Sequence, residues 1–289
     1  MVSSGSMAMM VVGIVLSLAL PIVLLIYLKK KYQTSIKVFL AGCGIWIVFT
    51  LILEAIVHQM ILGNPDIGPS ILNNTWLYAI YGGLAAALFE ESGRLVAMKF
   101  MLKNHHDNKY NSIMYGAGHG GIEAIFVLGI GMLNNMVTSN LINAGQTSVL
   151  LDSAPSEELK NAMRVTIQQL IDATPIQFVA GDLERISAFI MHIAFSVFVW
   201  IAVTKGKKML WGMAFLMHMF VDAITVILFQ SVQASSAAGI ALELVILAMA
   251  VGIAFVAFKY WKANLSVENI DNSEEIKMTE AESAEESEK

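Results

Sequence analysis

Residues 75–102 read TWLYAIYGGLAAALFEESGRLVAMKFML. The run is long enough to cross a bilayer as a helix. It is apolar except around Phe89-Glu90-Glu91-Ser92-Gly93-Arg94. A charged group at the middle of a membrane helix costs about 2.5 to 3.5 kcal/mol on insertion scales, and such groups face a bundle interior or a water-filled cavity. The stretch therefore predicts a helix buried by other membrane helices. Two further runs carry matching anomalies, His119-Gly120-Gly121-Ile122-Glu123 and His218-Met219-Phe220-Val221-Asp222. In each, two ionisable groups stand at i and i+4 and so share one helix face.

The wider composition agrees. Of 289 residues, 56% are apolar and only 14% charged, against roughly 25% charged in soluble domains. The single cysteine, Cys43, excludes an intrachain disulfide and a thiolate metal cluster. Residues 263–289 hold nine acidic and two basic residues, so the tail carries −7 and the body +2 of the net −5. Nothing reads as a nucleic-acid footprint. Met1 to Ser6 contains no Lys or Arg, so the first apolar run reads as a retained span rather than a signal peptide.

Seven apolar runs follow in order: Met7–Leu28, Ile36–Leu62, Thr75–Leu102, Ser112–Val137, Ile186–Thr204, Met209–Gln230 and Gly239–Phe258. The expected fold is all-α, a polytopic membrane helical bundle of about seven transmembrane helices. Residues 1–262 form one transmembrane, peptidase-like domain, and 263–289 an acidic, disordered cytoplasmic tail. Thr138–Glu184 is the one long connection, with Glu184-Arg185 outside the fifth span. Within it, residues 156–173 have apolar positions at helical spacing and predict an amphipathic segment on the outer face, either a connector or a gate. The lysine-rich loops fall on one side if the N-terminus is outside and the C-terminus inside.

That orientation sets depth. Glu90, His119, His192 and His218 each lie 10 to 12 residues from the lysine-rich ends of their spans, roughly 15 to 18 Å at the helical rise. One layer therefore holds all four. Small residues around them (Gly82, Gly83, Gly118, Gly120) predict close helix packing. Glu54 and His58 form another i, i+4 pair nearer the outer face, expected to be local.

These residue types suit hydrolysis. A carboxylate in a poorly solvated site can take a proton from water, and a histidine can share that work or stabilise an oxyanion. Alternatively, two histidines and a carboxylate could hold Zn²⁺ with an open position while another glutamate acts as base. Both schemes fit Glu90, Glu91, His119, Glu123, His218 and Asp222.

Glu90-Glu91-Ser92-Gly93-Arg94 resembles the double-glutamate-plus-arginine motif of the CAAX-protease and bacteriocin-processing superfamily. The later His-x-x-x-Glu and His-x-x-x-Asp elements resemble those of its PrsW branch. The Gly-His-Gly-Gly-Ile-Glu-Ala wording is most similar to the YhfC group, described as intramembrane metalloproteases. The resemblance covers residues 75–230. It implies that Glu90 or Glu91 activates water with His119, and that His218, with Asp222, stabilises the oxyanion or binds the metal. It implies a membrane-embedded protein or peptide substrate in the lipid bilayer, and a bacterial cytoplasmic membrane location.

The expected catalytic set is thus Glu90, Glu91, His119 and His218, supported by Arg94, Glu123, His192 and Asp222. If a metal is bound, its expected ligands are His119, His218, Glu123 and Asp222. Rival readings are a proton-coupled membrane transporter, in which the same groups relay protons, and a catalytically silent membrane-protein binder.

Overall fold

The structure is a computed structural model that describes residues 1–231 and 236–265. Among the described residues every regular element is helical. The helices are α1 (Ser4–Tyr32), α2 (Ile36–Leu62), the short α3 (Gly68–Leu72), α4 (Thr75–Val96), α5 (Asn111–Asn143), α6 (Thr147–Asp152), α7 (Glu157–Asp172), α8 (Pro175–Thr204), α9 (Met209–Ser231) and α10 (Ser236–Leu265). Six of these, α1, α2, α5, α8, α9 and α10, are long and apolar enough to cross a membrane. The seventh expected span, α4, is 22 residues long and is extended by a π-helical stretch, Ala97–Met101. Its carboxylates and arginine are what set it apart from the six.

Local chemistry explains the ends. Ser3 caps α1 by accepting from the Ser6 amide, and Lys29, Lys30 and Lys31 occupy its last turn, where cations complement the helix dipole. Asn74 caps α4, accepting from the Trp76 and Leu77 amides. Thr174 and Gln177 form a capping box before Pro175, and α8 starts there. The fifth helix therefore begins eleven residues earlier than the expected Ile186, and Glu184-Arg185 lie inside it. Helix α5 likewise runs on to Asn143, whose side chain binds the Val2 backbone. The long connection shrinks to residues 144–174.

Helix α8 is the hub. Of its most apolar window 78% is buried, against 17–28% in the other five apolar spans. It packs on α1, α4, α5, α9 and α10, while α4 packs along α9 and α2 along α5. Outward faces carry exposed Val23, Leu40, Leu216, Phe220 and Phe255, as surfaces bathed in lipid do. The amphipathic α7, capped by Ser156, buries Leu170 beside Val2, Met10 and Phe178. It thus packs on the end of α5 and on α6, beside the starts of α1 and α8. Residues 266–289, most of the expected tail, lie outside the described residues; Ala263–Leu265 complete α10.

Candidate active site

Adjacent residues on a helix point about 100° apart, and Glu90 and Glu91 accordingly serve different neighbours. Glu90 Oε2 lies 2.9 Å from His119 Nε2, 3.6 Å from His192 Nδ1 and 3.3 Å from Arg94 Nη2. Glu91 Oε1 lies 2.5 Å from Arg94 Nη1 and 2.8 Å from His218 Nδ1. Glu91 and Arg94 are fully enclosed. Trp211 Nε1 donates to the Glu91 carbonyl at 3.0 Å, tying α9 to this turn of α4. A π-helical stretch follows directly after the α4 α-helix, a second follows Ala124 in α5, and a third in α2 ends at Glu54. Such interruptions gather at functional sites.

The three histidines come from three helices. The ring centroids of His119 and His192 are 5.3 Å apart, and those of His192 and His218 are 5.9 Å apart. Close packing makes this possible. A Cβ on Gly118 would stand 2.1 Å from the Phe39 carbonyl oxygen, and one on Gly120 would stand 2.9 Å from His192 Cβ. His192 Nδ1 is 2.6 Å from Arg94 Nη2. A guanidinium only donates, so Nδ1 accepts and the ring proton sits on Nε2, facing Glu123 Oε2 at 2.6 Å. Glu123 is held in turn by Arg185 Nη1 at 2.7 Å, and Arg185 also pairs with Glu184. His218 Nε2 lies 3.4 Å from Asp222 Oδ2, and Phe195 stacks on the His218 ring.

A cavity of about 320 Å³ opens beside this network. Its walls include Glu90, Glu123, His192, His218 and Asp222, and it extends along α8, past Ala188 and Glu184, facing Gly82 and Gly83 of α4 and Thr225 of α9. Glu90 borders the cavity; Glu91 lies behind the wall.

Three of these residues are placed to hold a metal. Glu90, His119 and His192 place one ligand atom each within 4.8 Å of the others, all buried. Ligands about 2.0–2.1 Å from a tetrahedral zinc ion lie roughly 3.3 Å from one another, close to the 2.9 and 3.6 Å found around Glu90 Oε2. Two histidines and a carboxylate suit zinc, and Glu123 supplies His192 with the outer partner that ligating histidines use. The donor set therefore fits. Arg94 Nη2 stands against two of the three donor atoms, so a bound ion would require the guanidinium to withdraw toward Glu91.

Comparison with known proteins decides the family. Residues 16–246 match the family described as YhfC intramembrane metalloprotease. The chain belongs to the YhfC intramembrane metalloprotease family. A Bacillus subtilis (strain 168) relative, described as an uncharacterized membrane protein YhfC, is 33% identical over 218 residues, covering 75% of this chain and 83% of the relative. No solved structure matches. The family match takes in α1, α2 and the start of α10 as well as the expected core of residues 75–230. The chain is thus a membrane protein with a membrane protease role.

Within this YhfC fold the eight expected site residues meet in one network: Glu90, Glu91, Arg94, His119, Glu123, His192, His218 and Asp222. The metal-competent group differs from the expected one. It contains His119, but Glu90 and His192 stand where His218, Glu123 and Asp222 were expected. The reason is tertiary: Glu123 reaches across to His192, and His218 turns to Glu91. Glu54 pairs with His58 at 3.2 Å, as expected, but it is buried and within electrostatic reach of Glu90, His218 and Asp222, so it stands beside the site. Arg185 was missed, because hydropathy alone placed it before the fifth span. The Thr174-Pro175-Ile176-Gln177 start signal would have put it on the His192 face, two turns away.

Proposed function

We propose that the chain is an intramembrane endopeptidase that cleaves a membrane-associated protein, with Glu90 as the carboxylate that activates water. The observation that carries this reading is the position of Glu90: it borders the cavity, and its Oε2 is within 2.9 Å of one histidine and 3.6 Å of another. A substrate strand would reach the cavity from its outer end, where Gly82, Glu184 and Thr225 line it. Glu90 takes a proton from water, and the water oxygen bonds to the carbonyl carbon as the carbonyl electron pair moves onto oxygen. His218, facing the cavity between Glu91 and Asp222, donates to that oxyanion. Glu90 then returns the proton to the amine as the C–N bond breaks.

Glu91 and Arg94 hold this turn of α4 and orient His218. Glu123, with Arg185, fixes the tautomer of His192. Were zinc held by Glu90, His119 and His192, it would supply Lewis acidity and Glu90 would be a ligand in place of the base. The motifs favour a PrsW-like relationship within the CAAX-protease and bacteriocin-processing superfamily. The lysine-rich ends favour a cytoplasmic C-terminus, with α4 as a seventh membrane-spanning helix, in a bacterial cytoplasmic membrane.

The test compares membranes from cells making equal amounts of wild type and Glu90→Gln, by proteomics, with bound zinc assayed on the purified proteins. Fragments ending within or beside a membrane segment, present with wild type alone, are expected. Identical fragment sets from both would overturn the reading. Stoichiometric zinc in wild type that is lost in Glu90→Gln would assign the carboxylate as a ligand rather than the base.

A further inference from the structure

The face of α8 opposite His192 borders a second feature. There α1 and α10 flank α8 without packing along each other. The gap is an apolar groove of about 460 Å³, floored by Ile190, Ala194 and Val197 of α8. Those residues lie about 100–200° around the helix from His192, so the groove is separate from the candidate active site. Ala254 and Ala257 of α10 keep it open on one side, and Leu24 and Leu28 of α1 line the other.

The groove leads into a polar pocket of about 600 Å³ at the lysine-rich end, and Tyr32 and Tyr110 border both. Lys109, Lys205, His106 and Asn108 face this pocket, together with one acid, Asp107. Lys109 Nζ lies 5.0 Å from the Trp261 ring centroid and 5.6 Å from that of Tyr110. Lys31 Nζ lies 5.4 Å from the Tyr32 centroid. Along α8, α1 and α5 the order is the same, apolar lining deeper and polar lining toward the lysine-rich end. On α8, Ile190–Val197 precede Thr204 and Lys205; on α1, Leu24–Leu28 precede Tyr32; on α5, Tyr110 stands at the end and Ile113 deeper.

We propose that this continuous feature is a binding site for an anionic phospholipid, with an acyl chain in the groove and the phosphate beside Lys109 and Lys205. The groove runs along α8 from Ile190 to Val197, about 10 Å of helix, parallel to the direction a lipid chain takes in the leaflet. The lysines sit where the headgroup would be, and the aromatic residues mark the interface. Anionic headgroups attract surface lysines at roughly 1 kcal/mol each, and charge complementarity singles out an anionic lipid over a zwitterionic one.

The experiment uses the full chain, delipidated in detergent and titrated with phosphatidylglycerol or phosphatidylcholine, with bound lipid counted by native mass spectrometry. One phosphatidylglycerol per chain is expected, retained at least about tenfold better than phosphatidylcholine. Removing Lys109 and Lys205 charge (K109Q with K205Q) should weaken phosphatidylglycerol about fivefold per lysine and leave phosphatidylcholine unchanged. Ala254→Phe fills the groove from a half-buried position and should abolish retention of both lipids. If that variant does not fold, the lysine pair, which is superficial, decides the matter. Equal retention of the two lipids, or undiminished binding by either variant, would overturn the proposal. So would phosphatidylglycerol binding that appears only after residues 266–289 are removed, which would make the acidic tail the occupant.

Discussion

The site has two halves that begin one residue apart. The Glu90 half borders the cavity and gathers His119, His192, Glu123 and Arg185 from α5 and α8. The Glu91 half is closed apart from one side chain: its carboxylate meets Arg94 and His218, its carbonyl meets Trp211, and of these only His218 borders the cavity. Two identical side chains thus differ in what their chemistry can reach. A buried charge that touches only fixed partners builds structure, whereas one that also touches open volume can exchange a proton with something that enters and leaves.

Substitutions can break this contrast. The largest expected effect is that of Glu90→Gln. It keeps shape and the contact with His119 but removes the base, so turnover should fall about 10²–10⁴-fold with little change in melting temperature. Arg94→Met acts in the other half. It strands two buried carboxylates, and breaking a buried pair from one side costs about 3–5 kcal/mol. Loss of folded protein, measured by melting temperature in detergent, is therefore expected, with partial recovery when Glu91→Gln is added. If Arg94→Met instead folded normally and lost only turnover, the closed half would be chemical rather than structural.

Glu123→Gln sharpens the picture within the open half. It weakens the hold of Arg185 on this side chain and the tautomer preference of His192. Loss of such an outer partner typically costs about 10–100-fold in activity or metal affinity, and turnover and zinc content should both be read. The smallest effect is expected at Glu54→Gln, where the carboxylate contacts His58 on its own helix and His58 bonds Tyr81. Activity within a few-fold of wild type is expected there, and a loss matching that of Glu123→Gln would place Glu54 in the site.

Much of this was legible in the sequence because insertion cost is local. A carboxylate in a long apolar run must be buried by neighbours, so Glu90, His119 and His218 identified their faces before any packing was known. The common depth of the four layer residues followed from helical rise alone. His192 reads from the sequence as a supporting residue alone, because its partners, Arg94 and Glu123, come from other helices, and no spacing within α8 reveals them. Arg185 was misplaced because polar residues in the first turns of α8 mask its start in a hydropathy window, though the capping residues name it. That Glu90 and His192, rather than Glu123, Asp222 and His218, stand beside His119 in a metal-competent arrangement depends on rotamers that only the packed bundle selects.

The most direct test sets Glu90→Gln against Glu91→Gln in the same membranes at equal abundance, following release of the fragments that wild type produces. Glu90→Gln should abolish them, while folded Glu91→Gln should retain measurable cleavage. Persistent cleavage by Glu90→Gln, with loss in a folded Glu91→Gln, would contradict the assignment and move the chemistry to the closed half.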